Sequence, residues 1–310
     1  MCSWTRWLPA TRMRAAEPLV PADPVPMNPR LGRLQPYPFE KLRALLAGVV
    51  PSAEFSPVNL SIGEPKHATP DLIKSALVAN LDGLSAYPAT AGLPELREAV
   101  ADWLKNRDKL PAIDPATQVI PVNGSREALF AFAQTVIDPT GGKALVACPN
   151  PFYQIYEGAA VLAGASAIFL NASAQTCFKP DYRALPEATW RNVQLVYACS
   201  PANPSGAVMT LEDWRVLFEL SDRHGFVIAA DECYSELYRD EGSPPIGALQ
   251  AACVLGRTSF PRLVAFSSLS KRSNAHGMRS GYVPGHPRLL KTSVPFRPFH
   301  GACMTVTVPR

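Results

Sequence analysis

Between residues 118 and 284, short apolar runs recur along the chain, with amphipathic stretches between several of them. Seven runs read as strands: Gln118–Val122, Ala144–Cys148, Ala165–Leu170, Val193–Ala198, Phe226–Ala230, Leu263–Phe266 and Gly281–Val283. Helical spacing falls among them at Arg126–Val136, Gln154–Ala163 and Leu211–His224. Strands that are apolar throughout, rather than at every second position, are buried on both faces. Helices must then cover both sides of a mostly parallel sheet, and the predicted fold class is α/β. Ligands of such sheets lie beyond the strand ends, where the loops are.

Upstream, Phe39–Gly48 reads as an amphipathic helix, and Asn59–Ile62 as a short strand ending in the turn Gly63-Glu64-Pro65. Thr69-Pro70-Asp71 reads as a helix start, with a capping hydroxyl, a proline at the first position and an acid at the positive end of the dipole. Pro94 opens another helix that runs to about Asn106. Residues 1–26, with five prolines and no apolar period, read as a disordered or foreign extension ahead of a start at Met27. The predicted organisation is an N-terminal arm over 27–60, a large domain over 61–291 and an aberrant or truncated tail over 292–310.

Composition narrows the class. A chain of 310 residues with 47% hydrophobic content has ample core and is globular rather than disordered. A net charge of +4, with no basic run interleaved with aromatics, argues against nucleic acid. The longest nearly apolar stretch, Gly158–Leu170, is too short to span a bilayer. Seven scattered cysteines without a C-x-x-C pair read as reduced, buried thiols of a cytoplasmic enzyme that holds no metal.

Candidate chemistry sits in the loops after the strands. Lys271, in Ser267-Ser268-Leu269-Ser270-Lys271-Arg272, follows an apolar strand, and its amine can form an imine with a carbonyl. Eight residues on, Arg279 in a Gly-flanked turn can hold a phosphate. An aldehyde carrying a phosphate, pyridoxal phosphate (PLP), needs both. Gly124-Ser125-Arg126-Glu127 opens a helix whose free N–H groups suit an anion, with Ser125 adding a hydroxyl; simple capping is the bland alternative. Asp231 ends a strand, where its carboxylate could keep a pyridine nitrogen protonated, or merely cap a helix. Tyr234 and Asn203 could bond the ring's phenolic oxygen, Tyr153 could stack on the ring, and Ser268 could add a donor to the phosphate. Tyr87 could reach a phosphate or substrate from the loop Ser85-Ala86-Tyr87-Pro88.

Together and in this order, the set resembles the class I/II PLP-dependent aminotransferases of fold type I. The matching pieces are Gly63-Glu64-Pro65, Tyr87-Pro88 with Gly92, Gly124-Ser125-Arg126, Asn150-Pro151-Phe152-Tyr153, Asn203-Pro204-Ser205-Gly206, Asp231-Glu232-Cys233-Tyr234, and Ser268-Leu269-Ser270-Lys271 with Arg279. Within that family the chain is most similar to the proteobacterial succinyldiaminopimelate transaminases, through stretches such as Met27-Asn28-Pro29-Arg30-Leu31 and Cys148 through Gly158.

The resemblance implies a role for each residue. Lys271 holds PLP and moves the substrate proton, Asp231 pairs with the pyridinium, and Asn203 and Tyr234 bind the ring oxygen. Tyr153 stacks on the ring, while Ser125, Arg126, Ser268 and Arg279 surround the phosphate. Tyr87 reaches a neighbouring subunit's phosphate in a homodimer, and Gly63 lies against the substrate carboxylate. The implied reaction takes nitrogen from glutamate and passes it to N-succinyl-2-amino-6-oxopimelate. Another class I aminotransferase (aspartate, alanine or aromatic), a β-lyase, or a PLP-binding chain without full activity are the alternatives. Relatives carry an arginine that clamps the substrate α-carboxylate in a small domain after the lysine. Here the small domain is expected to be incomplete, and none of Arg288, Arg297 or Arg310 matches that arginine.

Overall fold

The computed structural model describes residues 27–56, 58–301, 303 and 304. The expected extension over 1–26, Cys2 and Arg310 lie outside the described residues. Seven strands form one sheet: β1 (Val119–Val122), β2 (Leu145–Asn150), β3 (Ser166–Asn171), β4 (Val193–Cys199), β5 (Val227–Asp231), β6 (Leu263–Ser268) and β7 (Gly281–Pro284). Their order is β1-β7-β6-β5-β4-β2-β3. The pairs β2–β3, β2–β4, β4–β5 and β5–β6 are parallel, whereas β7 runs antiparallel to both β1 and β6. Each of the seven strand cores expected between 118 and 284 is found, with ends moved by a residue or two.

The helices are α1 (Pro38–Leu46), α2 (Asp71–Ala79), α3 (Pro94–Arg107), α4 (Ser125–Val136), α5 (Ile155–Ala163), α6 (Glu187–Trp190), α7 (Leu211–His224), α8 (Ala248–Val254), α9 (Leu269–Arg272), α10 (Pro287–Ser293) and α11 (Arg297–His300). Alternate strand residues face opposite layers. Ala147, Val196, Ile228, Ala230 and Ala265 pack with Leu104 of α3, Trp214 and Leu217 of α7, and Leu249 of α8. Val146, Leu195, Ala229, Val264 and Phe266 pack with Leu129 and Phe132 of α4, Tyr156 of α5 and Leu290 of α10. Both faces are covered, as the unbroken apolar runs require. Cys303 and Met304 are also buried, and the Cys303 thiol donates to the Pro121 carbonyl of β1 at 3.7 Å.

Two upstream expectations fail because short polar side chains find other partners. Asn59–Ile62 is not a strand. Asn59 Oδ1 accepts from both the N–H and the hydroxyl of Ser61, at 3.0 and 2.6 Å, which turns the chain. Thr69 does not cap α2; its hydroxyl donates to the Asn274 carbonyl at 2.6 Å, and Pro70 stands at the cap. The described cysteines are free, but Cys177 is exposed, and Cys233 and Cys253 are half-buried, so among them buried thiols describe only Cys148, Cys199 and Cys303. Among the described residues no helix is long and apolar enough to cross a membrane.

Candidate active site

The carboxyl ends of β6, β5, β4 and β2, together with the end of β1, deliver Lys271, Asp231, Asn203, Tyr153 and Ser125 to one edge of the sheet. Asp231 pairs directly with Phe266 of β6, two positions before Ser268 starts the turn into α9. Asp231 is buried, at 5% exposure. Its Oδ2 accepts the Tyr156 hydroxyl at 2.7 Å and its Oδ1 accepts the Cys233 N–H at 3.3 Å. Burial raises its pKa, and these hydrogen bonds pull it back down. Both described donors are neutral, so the site offers a desolvated carboxylate that a cation would stabilise.

Lys271 stands half-buried in α9. Its ammonium donates to the Gly63 carbonyl and lies 5.6 Å from the Tyr234 ring centre. The Tyr234 hydroxyl donates to the same carbonyl at 3.4 Å. Burial lowers the lysine's pKa and the Arg126 charge adds to the drop, against Cys233 and Glu64. Burial, with the Asp231 charge behind it, pushes Tyr234 up to about 12. Lys271, Tyr234 and Gly63 therefore form one contact group.

Ser125 and Ser268 meet around Cys233, whose thiol lies 2.9 Å from Ser125 Oγ and 3.9 Å from Ser268 Oγ. Gly124, at φ +105°, precedes them; a Cβ there would stand 2.3 Å from Arg279 Nη2. Only glycine tolerates both the backbone and the approach of the guanidinium. On the other side, a Cβ on Gly281 would stand 2.7 Å from the Ser267 carbonyl and 3.4 Å from the Ser125 nitrogen. Two glycines thus keep a small cradle open beside two hydroxyls and a helix start, which suits an anion.

The outer residues are placed less simply. Arg279 pairs with Glu127 at 2.6 Å, a partner that sequence reasoning did not foresee. Arg126 donates to the Tyr153 hydroxyl and its guanidinium lies 5.6 Å from that ring's centre. Tyr153 also meets Tyr156 edge-on at 5.8 Å. Asn203 enters through its backbone N–H, which donates to Cys199 Sγ at 3.4 Å. Tyr87 is 99% exposed and stands away from the group. Arg297 is buried under the sheet face covered by α4, beside Phe132 and Leu290, and Arg288 is exposed, so neither joins the site.

Tyr156 is the functional residue that the sequence reading missed. It lies fully buried, stacked on Tyr197 at 4.5 Å. Its signal was its place: it lies in the first turn of α5, directly after the candidate loop that carries Tyr153.

Residues 56–299 match the family model described as aminotransferase class I and II. An LL-diaminopimelate aminotransferase of Nitratidesulfovibrio vulgaris (strain DP4) is 33% identical over 263 residues, covering 84% of this chain and 65% of that protein. One from Aquifex aeolicus is 32% identical over 263 residues, with the same coverage of 84% and 65%. This chain therefore spans a little under two-thirds of the length of those relatives. Among solved structures, an aminotransferase from Neisseria meningitidis Z2491 superposes with a TM-score of 0.87 at 50% identity, covering 91% of this chain and 71% of that one. The aminotransferase AspB from Helicobacter pylori 26695 superposes at 0.82 with 37% identity, covering 89% and 71%.

Proposed function

The chain belongs to the aminotransferase class I and II family, whose enzymes use pyridoxal phosphate, and on that footing we propose that it moves an amino group between an amino acid and a 2-oxo acid. One observation carries this reading: the half-buried amine of Lys271 and the buried carboxylate of Asp231 stand at the ends of neighbouring parallel strands, with a glycine-kept cradle alongside.

When bound, the cofactor supplies an aldehyde that condenses with amines and a protonated ring that withdraws electrons. The residues divide the remaining work. Lys271 holds the cofactor through its Nζ; burial lowers its pKa, so more of the amine is neutral and nucleophilic near neutral pH. Once released, the same nitrogen takes the proton from the substrate α-carbon and returns it on the other side of the exchange. Asp231 would hold the ring nitrogen, whose proton would supply the cation that this buried carboxylate lacks. Tyr156 holds that carboxylate by its hydroxyl. Ser125, Ser268 and the α4 N–H groups would hold the phosphate, and Arg126 and Arg279 would add positive charge to it. Asn203 and Tyr234 serve the ring oxygen, Tyr153 the ring face, and Gly63 the substrate carboxylate. Tyr87, fully exposed, reaches the phosphate of a second subunit in a homodimer.

Glutamate is the proposed donor, and N-succinyl-2-amino-6-oxopimelate the proposed acceptor. The names of the curated relatives favour a second reading, in which the acceptor lacks the succinyl group. Purified protein mixed with PLP should turn yellow, and glutamate should then bleach that absorbance with release of 2-oxoglutarate. Lys271→Ala should abolish the colour and lower turnover at least about a thousandfold. A colourless wild type, or an active Lys271→Ala, would refute the assignment. Rates with the succinylated and free acceptors separate the two substrate readings.

A further inference from the structure

Strand alternation sends Asp231 and its neighbour Glu232 to opposite faces of the sheet. Asp231 turns toward α5, where Tyr156 holds it. Glu232 turns toward α3 and α8 and is 8% exposed. Its Oε1 accepts the N–H of Ala248, the first residue of α8, at 2.5 Å. Its own N–H donates to the Phe266 carbonyl of β6 at 2.9 Å. A Cβ on Gly247 would stand 3.3 Å from Glu232 Oε2 and 3.6 Å from Asp108 Oδ1, so two buried carboxyl groups converge on that glycine. Both line a cavity of about 20 Å³ together with Arg107, Ser267 and Tyr282. Arg107 is largely committed elsewhere. Its Nε donates to Glu236 at 2.9 Å and its Nη2 to the Ser235 carbonyl at 3.3 Å. Its Nη1 lies 3.8 Å from Asp108, too far for a hydrogen bond, and has no acceptor among the described residues.

We propose that Glu232 is a positioning residue for Asp231: its carboxyl group ties the end of β5 to the first turn of α8 and so sets where Asp231 stands on the opposite face. The proposal rests on the reading that Asp231 serves the cofactor ring. Two buried carboxyl groups beside one poorly placed guanidinium cannot both stay ionised at low cost. Burial pushes Glu232 up to about 8, with the Asp108 charge adding to the rise and the Ala248 N–H and Arg107 opposing it. Burial likewise raises Asp108 to about 6. The other titratable groups facing the pair are Asp231 and Cys199 at the ends of β5 and β4, Glu236 in the next turn, Cys253 on α8 and Tyr282 on β7, the last of which also meets Arg272. A neutral Glu232 keeps its bond to Ala248 without adding a charge next to Asp231.

The sign of the pH effect follows. From the ordinary carboxylate value of 4.5 up to about 8, the unfolded chain releases a proton that folded Glu232 keeps, so stability falls as pH rises through that window. Glu232→Gln lacks this cost. Thermal unfolding of the ligand-free protein between about pH 5 and pH 9 should show Glu232→Gln gaining on wild type up to about pH 8, with the gap level above that. PLP affinity should fall roughly tenfold in Glu232→Ala, about one buried hydrogen bond, and stay within about twofold in Glu232→Gln. A stability gap that ignores pH, or a Glu232→Ala that binds PLP as tightly as wild type, would overturn the proposal. Wild type that binds no PLP counts instead against the cofactor reading, and the stability gap then decides the role of Glu232 alone.

Discussion

From Gly92 onward the chain builds a two-faced sheet in which whole side chains such as Trp214, Tyr156 and Phe266 vanish from solvent; none of the described residues from 27 to 91 is buried. Both regions carry good helix patterns. α1 has an apolar side, yet Leu45 is 77% exposed and Leu46 is 56% exposed. The difference teaches that amphipathic spacing states a demand for cover and does not say what supplies it. The two regions meet at few places, among them Lys271 and Tyr234 on the Gly63 carbonyl and Thr69 on the Asn274 carbonyl. One of those contacts uses the very amine proposed to hold the cofactor.

The largest test of this contrast is packing. Trp214→Ala should cost about 3–5 kcal/mol in denaturant unfolding, because α7 loses its anchor against the sheet. Leu45→Ala should change stability by less than about 0.5 kcal/mol. A cost of 2 kcal/mol or more at Leu45 would mean that the α1 face is covered in solution, and the contrast would break.

Proton chemistry at the junction gives the next effect. The charged amine of Lys271 makes a stronger hydrogen bond to Gly63 than the neutral one. Burial lowers its pKa, so the ammonium is lost below the usual lysine range as pH rises, and the contact weakens. Limited proteolysis of residues 27–91 should therefore quicken several-fold toward alkaline pH in the wild type, and Lys271→Met should flatten that dependence. Equal profiles would detach the first region from the amine.

The smallest effect is expected at the second tie. Thr69→Val removes one partly buried hydrogen bond, worth about 1 kcal/mol. It should raise proteolysis of the first region while leaving the unfolding midpoint of the sheet almost unmoved. A matching fall in that midpoint would show that the two regions unfold together.

The same contrast explains what could be read from the sequence. The strands were legible because Phe226-Val227-Ile228-Ala229-Ala230 and its counterparts are apolar on both faces and too short for buried helices. Lys271, Asp231 and Ser125 were legible because they follow those strands directly. Tyr156 was not, because a tyrosine on an apolar helix face reads as core, and here it is core and partner at once. Glu127 was hidden because an ion pair across 152 residues leaves no local trace. The turn at Asn59 and the hydroxyl of Thr69 were misread because a short polar side chain can serve its own backbone or a distant carbonyl equally well, and only the folded chain decides.

β7 runs against both of its neighbours, so the chain leaves β6 at Ser268 and comes back to the same rim of the sheet at Gly281, with Ser267 and Tyr282 paired at the base. Everything between is an excursion clamped at its two feet, and it carries Lys271 near one foot and Arg279 near the other. Residues could be gained or lost at its crown, around His276 and Gly277, without shifting the ladder below. A change of length there would alter the spacing of amine and guanidinium, because Arg279 also bonds the His276 carbonyl, while the pairing of β6 with β7 below could keep its register.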